Sequence, residues 1–317
     1  MSAAIVQRAF GGPEVLEIAE VATPTSSDLR AGEILVNVAF AGVNPVDTKT
    51  RRGGAVAGLF PGFPLTLGWD VSGSVVAAAP DVAALRPGDR VFGMSRFPRP
   101  GKAYAEFVIA DAADFLVIPS GVSDEQAAAL PLAGLTAWTF LVETGGLRAG
   151  QDVLVQGAGG GTGHLAVQIA RSIGARVTAT ASTGKQSWLR GLGADRTVDY
   201  TAEDVATLFP GRPFDLVFNT SNGTARTGIV AAKPGGLVID ISETVTDSDR
   251  ALADSLDVRV DVPAISLNRR GLESIAQLAA DGELVAHIDR VYPLGEAAGA
   301  HRQLEAGHSR GKILLQP

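Results

Sequence analysis

The stretch Asp152–Lys185, DVLVQGAGGGTGHLAVQIARSIGARVTATASTGK, decides how the chain is to be read. Val153, Leu154 and Val155 make a wholly apolar run, as a strand buried on both faces of a parallel sheet requires. Gly157, Gly160 and Gly163 then recur at every third position. Leu165, Ile169 and Ile173 follow at fourfold spacing beside Ala166 and Ala170, an apolar helical stripe that Gly174 stops. Arg176 to Thr180 reads as a second strand. Such a strand, glycine loop, helix and strand lets backbone approach a pyrophosphate and aims the helix's first N–H groups at its charge. A tight turn alone also asks for glycine, and the loop is GxxGxxG, not GxGxxG. The flanking strand and helix, more than the glycines, point to a dinucleotide.

A site for NAD puts a carboxylate on the ribose 2′-hydroxyl about 20 residues past the glycines. Between Gly163 and Asp195 there is no Asp or Glu. Ser182, Thr183 and Lys185 stand there instead, donors suited to a 2′-phosphate, so the expected cofactor is NADPH. Two readings of Lys185 stay open: a phosphate ligand, or a solvated lysine at a helix start.

Size and composition narrow the function classes. The 317 residues suffice for about two domains with separate cores. A hydrophobic share of 46% with 19% charged residues describes a globular chain, and no apolar run is long enough for a membrane span. The net charge of −7 gives no general basic field for nucleic acid or an anionic membrane, which leaves a small molecule as the expected partner. Gln7 and Arg8 break the N-terminal apolar run too early for a signal peptide, making cytoplasmic residence the default. With no cysteine there is no disulfide, thiol nucleophile or thiolate zinc site. His164, His287, His301 and His308 show no metal-ligand spacing, so no metal site is expected.

Up to about Pro119 the chain reads as short strands: Ala3 to Arg8, Val15 to Val21, Ile34 to Phe40, Val71 to Ala78, Arg90 to Met94, Tyr104 to Ala110 and Phe115 to Ile118. Turn signals such as Arg86 to Asp89, RPGD, separate them, and many short strands with few helices suggest a barrel-like β domain. Two Gly- and Pro-rich loops, Arg51 to Pro64 and Ser95 to Lys102, are candidate walls of a substrate cleft. At Ser123 the character changes: Ser123 and Gln126 form a capping box, and strands and helices alternate from there. Thr197 to Tyr200, Phe214 to Asn219, Leu237 to Ile241 and Val258 to Val262 extend a parallel, doubly wound sheet to six strands. Leu272 to Leu284 reads as an amphipathic helix and Lys312 to Leu315 as a strand, a tail expected to rejoin the first domain. The expected division is residues 1–121 with 266–317, and residues 122–265 between them.

These residues resemble the medium-chain dehydrogenase/reductase superfamily, in its zinc-free quinone oxidoreductase and enoyl reductase branch. AGVNPVD (Ala41 to Asp47), PLTLGWDVSGSV (Pro64 to Val75), LRPGDRVFG (Leu85 to Gly93), AYAEFV (Ala103 to Val108), ALPLAGLTAW (Ala129 to Trp138), the glycine-loop stretch, FDLVFNT, KPGG and GKILL stand in the family's order. The resemblance implies an α/β architecture: a GroES-like β-barrel catalytic domain plus a doubly wound Rossmann domain, with the active site in the cleft. It also implies a homodimer paired through the outer Rossmann strand, Val258 to Val262.

The family's zinc enzymes carry a cysteine where this chain has Asn44, and GHE where it has Gly68, Trp69 and Asp70. Hydride transfer to or from an alcohol needs a Lewis acid on the alkoxide, so loss of those ligands argues for acceptors that delocalise charge themselves, an α,β-unsaturated carbonyl or a quinone. Alternatives are an enoyl-thioester or tailoring reductase acting on a carrier-bound substrate, and a non-catalytic NADPH-binding structural protein. Carried over by resemblance, Asn44 lies near the nicotinamide and its ribose, and Thr136 near the nicotinamide. Gly160, Gly161 and Thr162 lie at the pyrophosphate, and Ser182, Lys185 and Tyr200 around the 2′-phosphate. Asn219 and Ser242 sit at later strand ends that touch the cofactor in relatives. Tyr200 also reads as a rim aromatic. Lys49 stands where many quinone reductases have a tyrosine, and reads either as the proton donor to the enolate or as a surface lysine. Thr162 replaces a common valine.

Overall fold

The computed structural model describes residues 1–242 and 245–317. The chain separates into two compact units, Met1–Leu135 with Ser266–Pro317, and Thr136–Ile265. In the first unit β1 (Ser2–Gln7) and β2 (Leu16–Val21) form a hairpin, followed by β3 (Glu33–Val43), helix α1 (Pro45–Arg51), β4 (Asp70–Ala78), β5 (Arg90–Met94), β6 (Phe107–Asp111) and β7 (Phe115–Val117). Helices α2 (Asp124–Ala129) and α3 (Pro131–Trp138) come next. The change of pattern at Ser123 and the division at Leu135 are different places. Helix α2 begins the alternating stretch but belongs with the first unit, where Gln126 bonds the Ala286 backbone through both its amide atoms.

The second unit runs β8 (Asp152–Gln156), α4 (Gly163–Ile173), β9 (Arg176–Ala181), α5 (Gln186–Gly191), β10 (Arg196–Asp199), α6 (Val205–Leu208), β11 (Phe214–Asn219), α7 (Ala225–Ala231), β12 (Ala232–Asp240), α8 (Asp247–Ser255) and β13 (Arg259–Asp261). Its strands pair in parallel in the order β10-β9-β8-β11-β12-β13. This is the doubly wound Rossmann sheet expected from the alternation. Val153, Leu154 and Val155 are fully buried at its centre, as their unbroken apolar run requires. The order reverses beside β8, so the crevice past the carboxyl ends of β8 and β11 is the place for a ligand.

The tail supplies α9 (Arg269–Ala280), β14 (Ile288–Pro293), α10 (Ala297–Glu305) and β15 (Lys312–Gln316) to the first unit. The GroES-like sheet there has the order β14-β15-β3-β4-β5-β7, with β6 also on β3. β14 and α10 carry weak sequence signals, because β14 is an edge strand whose residues are mostly exposed and lack a clean apolar alternation. Strand β15 joins β3 antiparallel, Ile313 opposite Val43. Continued by one residue, that register sets Lys312 against Asn44.

Candidate functional site

The second unit carries a tight glycine loop between β8 and α4. Gly157 ends β8 with φ +71°, where a side chain would be strained, and a Cβ there would come 2.6 Å from the Thr220 hydroxyl. A Cβ at Gly163 would lie 2.4 Å from the Gly157 carbonyl oxygen, so α4 starts pressed against the loop. Gly160, Gly161 and Thr162 are half-exposed on the approach to α4. The first N–H groups of a helix have no partner within it, and they sum to about half a positive charge. That end fits a pyrophosphate.

Beyond the ends of β8, β9, β10 and β11 lies a concavity of about 600 Å³, lined among others by Gly157, Thr180, Tyr200, Glu203 and Ser221. Ser182 caps the turn that carries Thr183 and Lys185. Lys185 folds back over the loop and donates to the Gly159 carbonyl at 3.2 Å. Tyr200 is 58% exposed and free of any core role. Lys185 and Tyr200 thus both stand at the accessible carboxyl edge of the sheet.

Asn219 and Ser242 are engaged differently. Asn219 is fully buried; its Nδ2 donates to Asp240 at 2.6 Å, and its Oδ1 accepts from the Ser221 amide and the Thr224 hydroxyl. Ser242 gives Asp240 both its amide (2.8 Å) and its hydroxyl (2.6 Å). These bonds tie the ends of β11 and β12 together. Thr136 is buried on α3.

The first unit holds a buried polar cluster. Asn44, 1% exposed, caps α1, and its backbone amide donates to Asp47 at 2.7 Å. Its Nδ2 donates to Asp70 at 2.9 Å, and its Oδ1 accepts from the Lys312 ammonium. Lys312 also lies 3.5 Å from Asp70, whose other oxygen accepts from the Leu132 amide at 2.8 Å. Burial raises the Asp70 carboxyl above its usual range, against the pull of Lys312. Asp47 is pushed up to about 7, chiefly by burial, with the Asn44 amide pulling down and the charge of Asp70 pushing up.

Helix α1 is anchored from its other end. The fully buried Arg51 pairs with Glu305 at 2.5 Å and donates to Nδ1 of His301 at 3.0 Å. With Nδ1 accepting, the ring proton sits on Nε2, 3.1 Å from the Tyr104 hydroxyl. Burial and the charge of Arg51 hold His301 down at about 3, so it is neutral and structural. Lys49 lies half-buried on this anchored helix. The two Gly- and Pro-rich loops meet on Trp69, which packs edge-on against Phe60 of one (6.3 Å) and Phe97 of the other (5.5 Å). Leu59 and Phe63 of the first loop are exposed.

Lys312, Asp70 and Asp199 were absent from the sequence-derived site. Lys312 sits in GKILL, where it looks like any strand-start lysine. Asp70 was visible as the residue at a vanished ligand position. Asp199, at the end of β10, lies one strand beyond β9, where the sequence pattern of a dinucleotide site places its acid.

Residues 30–120 match the alcohol dehydrogenase GroES-like domain, and residues 192–315 the zinc-binding dehydrogenase family. The chain is 31% identical over 318 residues to a 2-methylene-furan-3-one reductase of Solanum lycopersicum, covering 97% of this chain and 77% of that one. It superposes on a quinone oxidoreductase from Coxiella burnetii with a TM-score of 0.90 at 33% identity, covering 100% of this chain and 99% of that chain. An Escherichia coli quinone oxidoreductase complexed with NADPH gives a TM-score of 0.88 at 28% identity, covering 99% and 100%.

The second of these family descriptions implies zinc, which needs converging thiolate, imidazole or carboxylate lone pairs. At positions 44, 69 and 70 only Asp70 supplies one. Trp69 is a donor, and its Nε1 is committed to the Arg99 carbonyl at 2.7 Å. The Lys312 ammonium already takes Asn44 and Asp70. These residues do not fit zinc, and among the described residues no group of three His, Cys, Asp or Glu side chains could hold a metal. No helix among them is long and apolar enough to cross a membrane.

Proposed function

The chain belongs to the medium-chain dehydrogenase/reductase superfamily, in its quinone oxidoreductase and enone reductase branch, and from that premise we propose an NADPH-dependent reductase that needs no metal. Its substrates are quinones or α,β-unsaturated carbonyls. The observation that carries the metal-free part is Lys312, a buried ammonium held between Asn44 and Asp70 where a Lewis acid would need its ligands. With no metal to hold an alkoxide, the acceptor must spread the incoming charge over its own conjugated system.

NADPH, when bound, supplies the hydride. The N-terminus of α4, with Gly160, Gly161 and Thr162, binds the pyrophosphate. Ser182, Lys185 and Tyr200 take the 2′-phosphate, a reading supported by the lack of any acid on β9 and by the NADPH complex of the Escherichia coli relative. Asn44 orients the nicotinamide ribose from a position made rigid by Lys312 and Asp70, and Thr136 borders the nicotinamide. Asn219 and Ser242 act through the backbone they hold at the ends of β11 and β12. The reduced acceptor gains one hydride at carbon and one proton at the enolate, and Lys49 or water delivers that proton. The apolar loop around Leu59, Phe60 and Phe63 suits a planar, weakly polar acceptor. The outer strand β13 offers an open edge for pairing two copies, so we propose a homodimer as well.

The test is direct. In the presence of a chelator, the protein should oxidise NADPH with at least one member of a panel of 2-alkenals, cyclic enones and naphthoquinones. No oxidation with any of them sinks the proposal. Turnover abolished by the chelator and restored by zinc sinks its metal-free part.

A further inference from the structure

The acid missing from β9 is brought in from the next strand. β10 runs parallel to β9 with Asp199 opposite Ala181, the residue before Ser182, and neighbouring strands lie only about 4.8 Å apart. Asp199 Oδ1 accepts from the Thr201 hydroxyl at 2.6 Å and from the Thr201 amide at 3.0 Å. The Thr201 hydroxyl lies 3.3 Å from that of Thr183, in the turn that carries Lys185. Hydrogen bonds from Thr183 and then Thr201 hold the Asp199 carboxyl below its usual range, so it is fully charged at neutral pH. The Asp199 amide donates to Glu203 at 3.2 Å, which brings a second carboxylate to the same rim.

The edge that carries Ser182, Thr183, Lys185 and Tyr200 is therefore not a simple cationic pocket. A 2′-phosphate placed there meets Lys185 and also Asp199. A 2′-hydroxyl meets an acceptor, reached directly or through the Thr183 and Thr201 hydroxyls. We infer that Asp199 is a specificity-determining residue that opposes Lys185, narrows the preference for NADPH, and leaves the site open to NADH. The inference rests on the reading of the glycine loop as a nicotinamide-cofactor site, and it assigns the margin between the two cofactors to one side chain on β10.

The experiment uses the full chain and compares wild type with Asp199→Asn, which keeps an acceptor for Thr201 while removing the charge. Binding of NADP⁺, NAD⁺ and 2′-AMP is measured by calorimetry at low and at high salt. Wild type should bind both dinucleotides. Asp199→Asn should tighten NADP⁺ and 2′-AMP about 3- to 10-fold relative to NAD⁺, the scale of an exposed charge facing a dianion. The gain should shrink at high salt. An unchanged NADP⁺/NAD⁺ ratio in a variant that still binds both overturns the role of Asp199 alone. Failure of wild type to bind either dinucleotide overturns the cofactor reading with it. An unshifted melting temperature shows that the variant is folded, and the 2′-AMP arm ties any change to the 2′-phosphate.

Discussion

Each unit buries an asparagine whose amide donates to an aspartate on the neighbouring strand, and the two aspartates are satisfied by opposite means. In the Rossmann unit Asn219 donates to Asp240, and Asp240 takes its remaining bonds from the amide and hydroxyl of Ser242, two residues on. In the GroES-like unit Asn44 donates to Asp70, and the compensating group is the ammonium of Lys312, 242 residues away. Neutral donors, one backbone amide among them, make the first pair a latch between strand ends. A cation drawn from the far end of the chain makes the second a charged cluster with Asp47 beside it. A local cap needs only its own loop; a buried ion pair needs the whole sheet assembled, and removing one partner strands the other in low dielectric.

Lys312→Met should break the contrast most severely. It leaves Asp70 buried without its cation and should cost about 3–5 kcal/mol, read as a fall in chemical denaturation midpoint. A variant as stable as wild type would mean the ammonium does not compensate Asp70.

Asp47→Asn sharpens the same cluster through pH. The folded-state pKa of Asp47, about 7, lies above its ordinary 3.8, so the native state holds a proton that the unfolded chain has released. Its contribution is complete below about pH 4 and is lost as pH rises through 7, by ~2–4 kcal/mol in all. The variant should flatten the decline in stability between pH 4 and 8, as followed by urea unfolding at several pH values. A slope equal to that of wild type would remove Asp47 as its source.

Ser242→Ala, on the Rossmann side, should be mildest. It deletes one hydroxyl bond to Asp240 while the Ser242 amide stays, at a cost of about 1 kcal/mol, measurable by the same unfolding curves. A loss as large as that of Lys312→Met would erase the distinction between latch and charged cluster.

The strand order of the Rossmann unit is legible in the sequence, although β12 starts at Ala232, ahead of the expected Leu237. The strand read at Phe214 to Asn219 is β11, and the glycine loop lies between β8 and α4. Ser182 and Lys185, proposed here for the 2′-phosphate, stand on the turn that follows β9. The first unit was legible as strands and less so as a site. Asn44 and Asp70 drew notice as replacements at ligand positions, yet nothing in their own neighbourhoods names Lys312 as the group between them. β14 went unread because an exposed edge strand has no reason to alternate apolar and polar residues.

The sequence by itself determined the elements and their order, the glycine loop, the lack of cysteine and of an acid on β9, because apolar periodicity, turn chemistry and capping act over a few residues of chain. Only the tertiary structure decided what those elements set side by side: Lys312 against Asn44 through the register of β15 on β3, and Asp199 beside the Thr183–Lys185 turn through the register of β10 on β9. The reason is physical. Strand register joins residues without regard to their separation along the chain, and a one-residue slip would turn every side chain to the other face of its sheet.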